Sequence, residues 1–252
     1  MEKIMIKNKL FTLFFCFIFL SEFHSCFSKE WRRAYLASYP QSGNHWVRYL
    51  IEEATHIATS SVYCDSEPPQ HMKEEFPWGG YCCDHGYEGT CRYPTKKDIV
   101  LIKTHFPYPN KTTKFDHLPY EVTIHIVRHP VDSFYSRYEK LPKGPLQEKV
   151  PTERVQVFIK NWRKVQTYWN NKKNVITIRY EDILQNPFVE LKKMLKALRY
   201  DVTDEDIGRA ITKYPPQGYV LKRISKFTPK DLKLISDELG DLLNHYDYVI
   251  PL

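Results

Sequence analysis

Along this chain the apolar positions repeat with a period of two or in short runs in some stretches and with a period near 3.6 in others, and the changes of period mark the elements. Ala34 to about Tyr39 is an apolar run that predicts a strand. After the turn Pro40-Gln41-Ser42-Gly43 the period lengthens. Val47, Leu50, Ile51 and Ala54 fall at i, i+3, i+4 and i+7, predicting a helix from Asn44 to about Thr55 with one buried face. Further strands are expected at Asp98 to Lys103, Glu121 to Val127 and Val175 to Arg179, and a helix from Pro130 to about Glu139. Lys140 to Pro151 reads as a loop, and Thr152 to Trp169 as a long helix with Val155, Phe158, Ile159 and Trp162 inward. Asn186 caps a helix with Pro187 in its first turn and a stripe of Phe188, Leu191, Leu195 and Leu198. Two more helices, near Thr203 to Tyr214 and Thr228 to Asn244, close the chain. Strands alternating with helices predict an α/β fold: a single domain with a central, mainly parallel sheet flanked by helices and ligands at the carboxyl ends of its strands.

Composition changes this picture at two places. Lys3, Lys7 and Lys9 precede an apolar stretch from Leu10 to Leu20 and a small-residue region ending near Ser28, so residues 1–28 read as a signal peptide. The rival is a retained membrane anchor, which requires Glu22 and His24 to lie inside the span. Residues 60–96 are rich in Cys, Gly and Pro and read as an irregular insertion in a domain spanning 31–252. Cys16 and Cys26 belong to the leader, leaving Cys64, Cys82, Cys83 and Cys91. An even number on a secreted chain implies two disulfides, with adjacent Cys82 and Cys83 pairing outward, one to Cys64 and one to Cys91. A zinc site including His85 is the alternative, against which the neighbouring cysteines have poor tetrahedral geometry. Asn110-Lys111-Thr112 is a glycosylation sequon. The formal net charge of +7 is spread along the chain with no nucleic-acid motif, which suits an anionic small ligand better than a nucleic acid.

The first strand-turn-helix unit, Tyr39-Pro40-Gln41-Ser42-Gly43-Asn44-His45-Trp46, aims the free amides of a helix start at the end of a strand, an arrangement that binds phosphate. It lacks the Lys-Ser/Thr pair with which a P-loop kinase holds nucleotide and magnesium, so a metal is not expected. Three later segments complete a pattern: Leu101-Ile102-Lys103-Thr104-His105-Phe106-Pro107; His125-Ile126-Val127-Arg128-His129-Pro130 with Ser136 eight residues after Arg128; and Val175-Ile176-Thr177-Ile178-Arg179-Tyr180-Glu181-Asp182 closing with Asn186-Pro187. In this order, over Tyr35 to Pro187, they resemble the sulfotransferases that use 3′-phosphoadenosine-5′-phosphosulfate (PAPS). The first loop looks most like that of the sulfotransferase domain of WSC-domain-containing proteins.

The resemblance implies a P-loop-like fold, PAPS as co-substrate and an acceptor bearing a hydroxyl; the leader and the cysteines point to the secretory pathway, in the Golgi lumen or secreted. It implies that Gln41, Ser42, Gly43, Asn44 and His45 wrap the 5′-phosphate, that Trp46 stacks on adenine and that Tyr180 lies near the nucleotide. Arg128 and Ser136 would take the 3′-phosphate, a fork of charge-assisted donors plus a hydroxyl. His105 would be the general base, since imidazole can take the proton of a hydroxyl near neutral pH, and Lys103 would face the transferring sulfonate. Two departures stand out. Gln41 occupies the place of a family lysine, and Leu221 to Phe227, which offers Lys222 and Arg223 for the 3′-phosphate, has no glycine. The Gln41 departure keeps a catalytically silent nucleotide- or glycan-binding relative in view, and a P-loop kinase is the remaining alternative. Phe76, Trp78, Tyr81, Tyr87, Phe106 and Tyr108 are candidates to line an acceptor pocket for a sugar or a tyrosine.

Overall fold

β1 (Arg32–Ser38) lies in the middle of the sheet and is buried on both faces, as a near-continuous apolar run requires. In a computed structural model that describes residues 32–63, 91, 92, 94–108, 119–142, 148–217, 221 and 223–251, Arg32–Leu252 forms one compact unit. β1 is followed by α1 (Asn44–Thr55), β2 (Ser60–Ser61), β3 (Ile99–Thr104), β4 (Val122–Val127), α2 (Pro130–Tyr138), α3 (Thr152–Asn170) and β5 (Val175–Arg179). Then come α4 (Tyr180–Gln185), α5 (Pro187–Ala197), α6 (Asp204–Lys213), a 3₁₀ turn at Ile224–Lys226 and α7 (Pro229–His245). The strands order β2-β3-β1-β4-β5, with every pairing parallel.

This order makes β1 the switch point. Its own connection runs through α1 toward β2 and β3, while β4 leads on to β5 at the other side, so the chain diverges where β1 ends. Register aligns the strand ends: Ala37 of β1 faces Thr104 of β3, Ser38 faces Ile126 of β4, and Val127 faces Arg179 of β5. The loop after β1, His105, Arg128 and Tyr180 therefore emerge along one edge.

One face of the sheet packs on α1, α5 and α6. Val47, Leu50, Ile51 and Ala54 of α1 are all buried there against Ala34, Leu36, Leu101, Ile124 and Ile126. On the other face Tyr35 meets Trp169 of α3 at 6.1 Å, and Trp162 meets Tyr246 beyond α7 at 6.1 Å. Val155, Phe158, Ile159 and Trp162 are buried as their spacing requires. Thr203 and Thr228 each close a capping box, with Asp206 and Asp231, so α6 and α7 begin one residue after these threonines.

Three readings change. Residues 60–96 are not irregular throughout, because Ser60–Ser61 add an edge strand to β3. The stripe on α5 is Leu191, Met194, Leu195 and Leu198, while Phe188 is 36% exposed with the Lys192 ammonium 5.7 Å from its ring; the core stops one turn short of the helix start. Tyr180 to Gln185, expected to lead into the Asn186 cap, forms a short helix of its own. The leader, Cys64, Cys82, Cys83, the sequon at Asn110 and Lys222 lie outside the described residues.

Candidate functional site

The loop after β1 turns by placing two residues in the left-handed region, Gln41 at φ 64° and Gly43 at φ 98°. Gly43 is required twice over, because a Cβ there would stand 2.4 Å from Cδ2 of Tyr180. Gly43 caps α1 through its carbonyl, which accepts from the Val47 amide at 3.1 Å. The first amides of the helix lack intrahelical acceptors and face the strand ends. Ser42 and Asn44 are buried, and the Ser42 hydroxyl and both polar atoms of the Asn44 amide have no protein partner. Buried polar atoms left this way are ready to meet a bound group.

The loop opens on a cavity of about 470 Å³. Gln41, Gly43, Asn44, His45 and Trp46 form one wall, Lys103 and His105 a second, and Arg128 and Lys140 close it. No carboxylate is among these lining residues, so the cavity carries a positive field suited to an anion. Arg128 donates from Nη1 to the Gln41 carbonyl at 2.9 Å, its guanidinium lies 4.6 Å from the Tyr180 ring, and its buried Nε has no protein partner. Tyr180 in turn meets Trp46 edge-on at 5.9 Å, and the Trp46 indole donates to the Tyr214 carbonyl at 2.9 Å. Trp46 thus both packs on the core and faces the cavity. The orphaned atoms of Ser42, Asn44 and Arg128, with the helix start, fit a phosphate-bearing ligand.

His105 follows β3, and its Nδ1 stands 2.9 Å from the Ser38 carbonyl. A carbonyl only accepts, so Nδ1 carries the proton and Nε2 keeps its lone pair. Tyr63 stacks on the ring at 5.4 Å and accepts the His105 amide proton at 2.9 Å. Burial, and then the charge of Lys103, hold the imidazole down to about 3, so it is neutral at physiological pH. Lys103 donates from Nζ to His45 Nε2 at 3.0 Å; burial and the nearby Arg48 charge lower it to about 8, which leaves it mostly charged.

Ser136 and Arg223 stand apart from this cluster. Ser136 is half-buried on α2 and does not line the cavity, and Arg223 lies 3.7 Å from Glu139 and over the Tyr135 ring at 5.1 Å. Sequence reasoning missed Lys140, Tyr63 and a buried network behind the loop. In that network Arg48 donates from Nε to the Thr59 hydroxyl at 2.6 Å, and the Thr59 amide donates to Glu52 at 2.8 Å. Arg48 and Glu52, at i and i+4 on the helix, were the readable signal, since a polar pair flanking an apolar stripe is able to be buried when it is mutually satisfied.

The switch-point loop, its helix start and the cationic strand ends define an anion-binding site of the P-loop-like α/β class. Residues 32–214 match the family model described as the sulfotransferase domain, and the chain belongs to that family. A WSCD family member of Aedes aegypti is 27% identical over 207 residues, covering 77% of this chain and 59% of the relative. Mouse sulfotransferase 6B1 is 27% identical over 191 residues, covering 68% of this chain and 56% of the relative. The chain thus spans under two thirds of the length of these relatives. Among solved structures, a mouse sulfotransferase complexed with PAP superposes with a TM-score of 0.59 at 21% identity, covering 86% of this chain and 85% of that one, a likeness of fold.

Proposed function

We propose that this protein transfers a sulfuryl group from PAPS to a hydroxyl of a carbohydrate acceptor in the secretory pathway, with His105 as general base. The observation that carries the reading is the bond from His105 Nδ1 to the Ser38 carbonyl, because it leaves Nε2 unprotonated on a ring that lines the cationic cavity. PAPS supplies the sulfuryl group and leaves as a bisphosphate. The amides at the start of α1, with Ser42 and Asn44, bind its 5′-phosphate, and Arg128 takes the 3′-phosphate, while Trp46 and Tyr180 wall the adenine. PAP in the related mouse structure supports the bisphosphate. His105 Nε2 accepts the acceptor's hydroxyl proton, and Lys103 lends positive charge where negative charge accumulates. Gln41 gives its carbonyl to Arg128 and brings no charge of its own.

Thermal shift with PAP, with ATP, and with and without magnesium, followed by transfer of labelled sulfate to panels of glycans and tyrosine peptides, tests the proposal. Metal-independent stabilisation by PAP and label on a glycan are expected. Stabilisation by magnesium-ATP in place of PAP overturns the reading, and PAP binding without transfer to any acceptor favours the silent relative.

A further inference from the structure

The loop carries no cation at Gln41, and the structure supplies one from the neighbouring strand. Lys103 sits one residue before the end of β3, opposite Leu36 of β1, and its Nζ reaches the ring of His45 in the first turn of α1 at 3.0 Å. An ammonium only donates, so His45 accepts through Nε2 with its own proton on Nδ1. We infer that His45 is a positioning residue for sulfuryl transfer: its neutral ring holds the Lys103 ammonium against the phosphate loop, in place of the charge that Gln41 does not provide.

The choice of acceptor matters electrostatically. A carboxylate in the place of His45 would hold Lys103 more tightly but cancel its charge, and the field at the loop would fall with it. An uncharged nitrogen fixes the ammonium and leaves the field intact. The groups around the pair agree. Arg48 lies behind it on α1, His105 follows it on β3, Arg128 stands at the end of β4, and Arg137 and Lys140 approach from α2 and just beyond. Glu52, 4.0 Å from the Arg48 guanidinium, is engaged by the Thr59 amide at 2.8 Å. Among these neighbours no acid competes with His45 for the lysine. Burial and Arg48 push Lys103 toward its neutral form, so an oriented acceptor also preserves the charge that the site needs.

The inference rests on the sulfotransfer reading, and a double-mutant cycle with a ligand-free arm separates the two. In the protein without ligand, the Lys103 ammonium is followed by NMR of its Cε carbon in the wild type, His45→Leu and His45→Gln. The midpoint is expected near pH 8 in the wild type, lower in His45→Leu, and recovered in His45→Gln, whose side-chain oxygen also accepts. PAP is then titrated into the wild type, His45→Leu, Lys103→Met and the double variant. Each single change is expected to weaken binding by about tenfold, the loss of one charge-assisted contact, and the double variant to bind no worse than Lys103→Met. A Lys103 midpoint indifferent to residue 45 overturns the inference. So does an additive cycle, because His45 would then touch the phosphate directly. If PAP fails to bind the wild type, the sulfotransfer reading falls, and the NMR arm alone decides the pairing.

Discussion

Arg128 joins three parts of the site at once, through the Gln41 carbonyl, the Tyr180 ring and an Nε left for a ligand. A charge-assisted contact to phosphate contributes about 1.5 to 3 kcal/mol, so Arg128→Ala should weaken PAP roughly ten- to a hundredfold in a calorimetric titration. Arg128→Lys should recover little of this, since an ammonium has no planar fork to span the carbonyl and the ligand together. Unchanged affinity in folded Arg128→Ala would remove the assignment. His105 carries a different expectation. Burial comes first among the causes that hold it near 3, and the cations Lys103 and Arg137 add to it. A bisphosphate brings negative charge to those same cations, so its binding should raise the imidazole toward the range where a base works well. Imidazole NMR with and without PAP checks the direction; a downward shift or none would count against the geometry proposed. His105→Ala should then lose about 10² to 10⁴ in transfer rate while binding PAP almost normally.

At the scale of elements, the β1–α1 turn depends on a missing side chain. Gly43→Ala meets two costs together, a left-handed φ of 98° and a Cβ 2.4 Å from a Tyr180 ring that Arg128 and Trp46 already confine. Destabilisation by about 1 to 3 kcal/mol with loss of PAP binding is expected. Gly208→Ala is the control, since a Cβ in the middle of α6 meets nothing within 4 Å and should stabilise by up to about 1 kcal/mol. Urea melts that moved both variants the same way would undo the argument for the loop. Helices with a long apolar stripe, α1 and α3, could be read from spacing alone, because their buried positions repeat over three turns or more. β2 could not, since two serines carry no hydrophobic signal and are held by pairing to β3. The motif residues of the cavity were legible because they are local, a strand end and the turn after it. Lys140 and Tyr63 were not, because topology alone brings the end of α2 and the segment after β2 to the same cavity and the same imidazole.

For the whole molecule, the buried histidines set how folding responds to acid. His125, on β4 in the middle of the sheet, is fully buried against Trp169, and burial holds it near 3, far below its unfolded value of about 6.5. His105 and His129 are lowered for the same reason. Each takes up a proton more readily unfolded than folded, so the stability they contribute is complete above about pH 6.5 and is lost as pH falls toward the folded values. Glu52 and Glu181 have the opposite sign. Burial raises them, and the stability this linkage contributes is present below about pH 4.5 and fades as pH rises through their folded values. Below about pH 6.5 each lowered histidine opposes folding as acid is added, and the slope from His125 alone approaches about 1.4 kcal/mol per pH unit. The denaturation midpoint should fall steeply from pH 7 to 5 in the ligand-free protein. His125→Asn keeps a polar group beside Thr177 and does not titrate, so it should lower the midpoint at pH 7 yet flatten the slope. Melts of the two proteins at four or five pH values give the answer, and parallel curves would show that His125 does not carry the linkage. PAP should flatten the wild-type slope by a second route, because an anion that raises His105 narrows the gap between its folded and unfolded protonation.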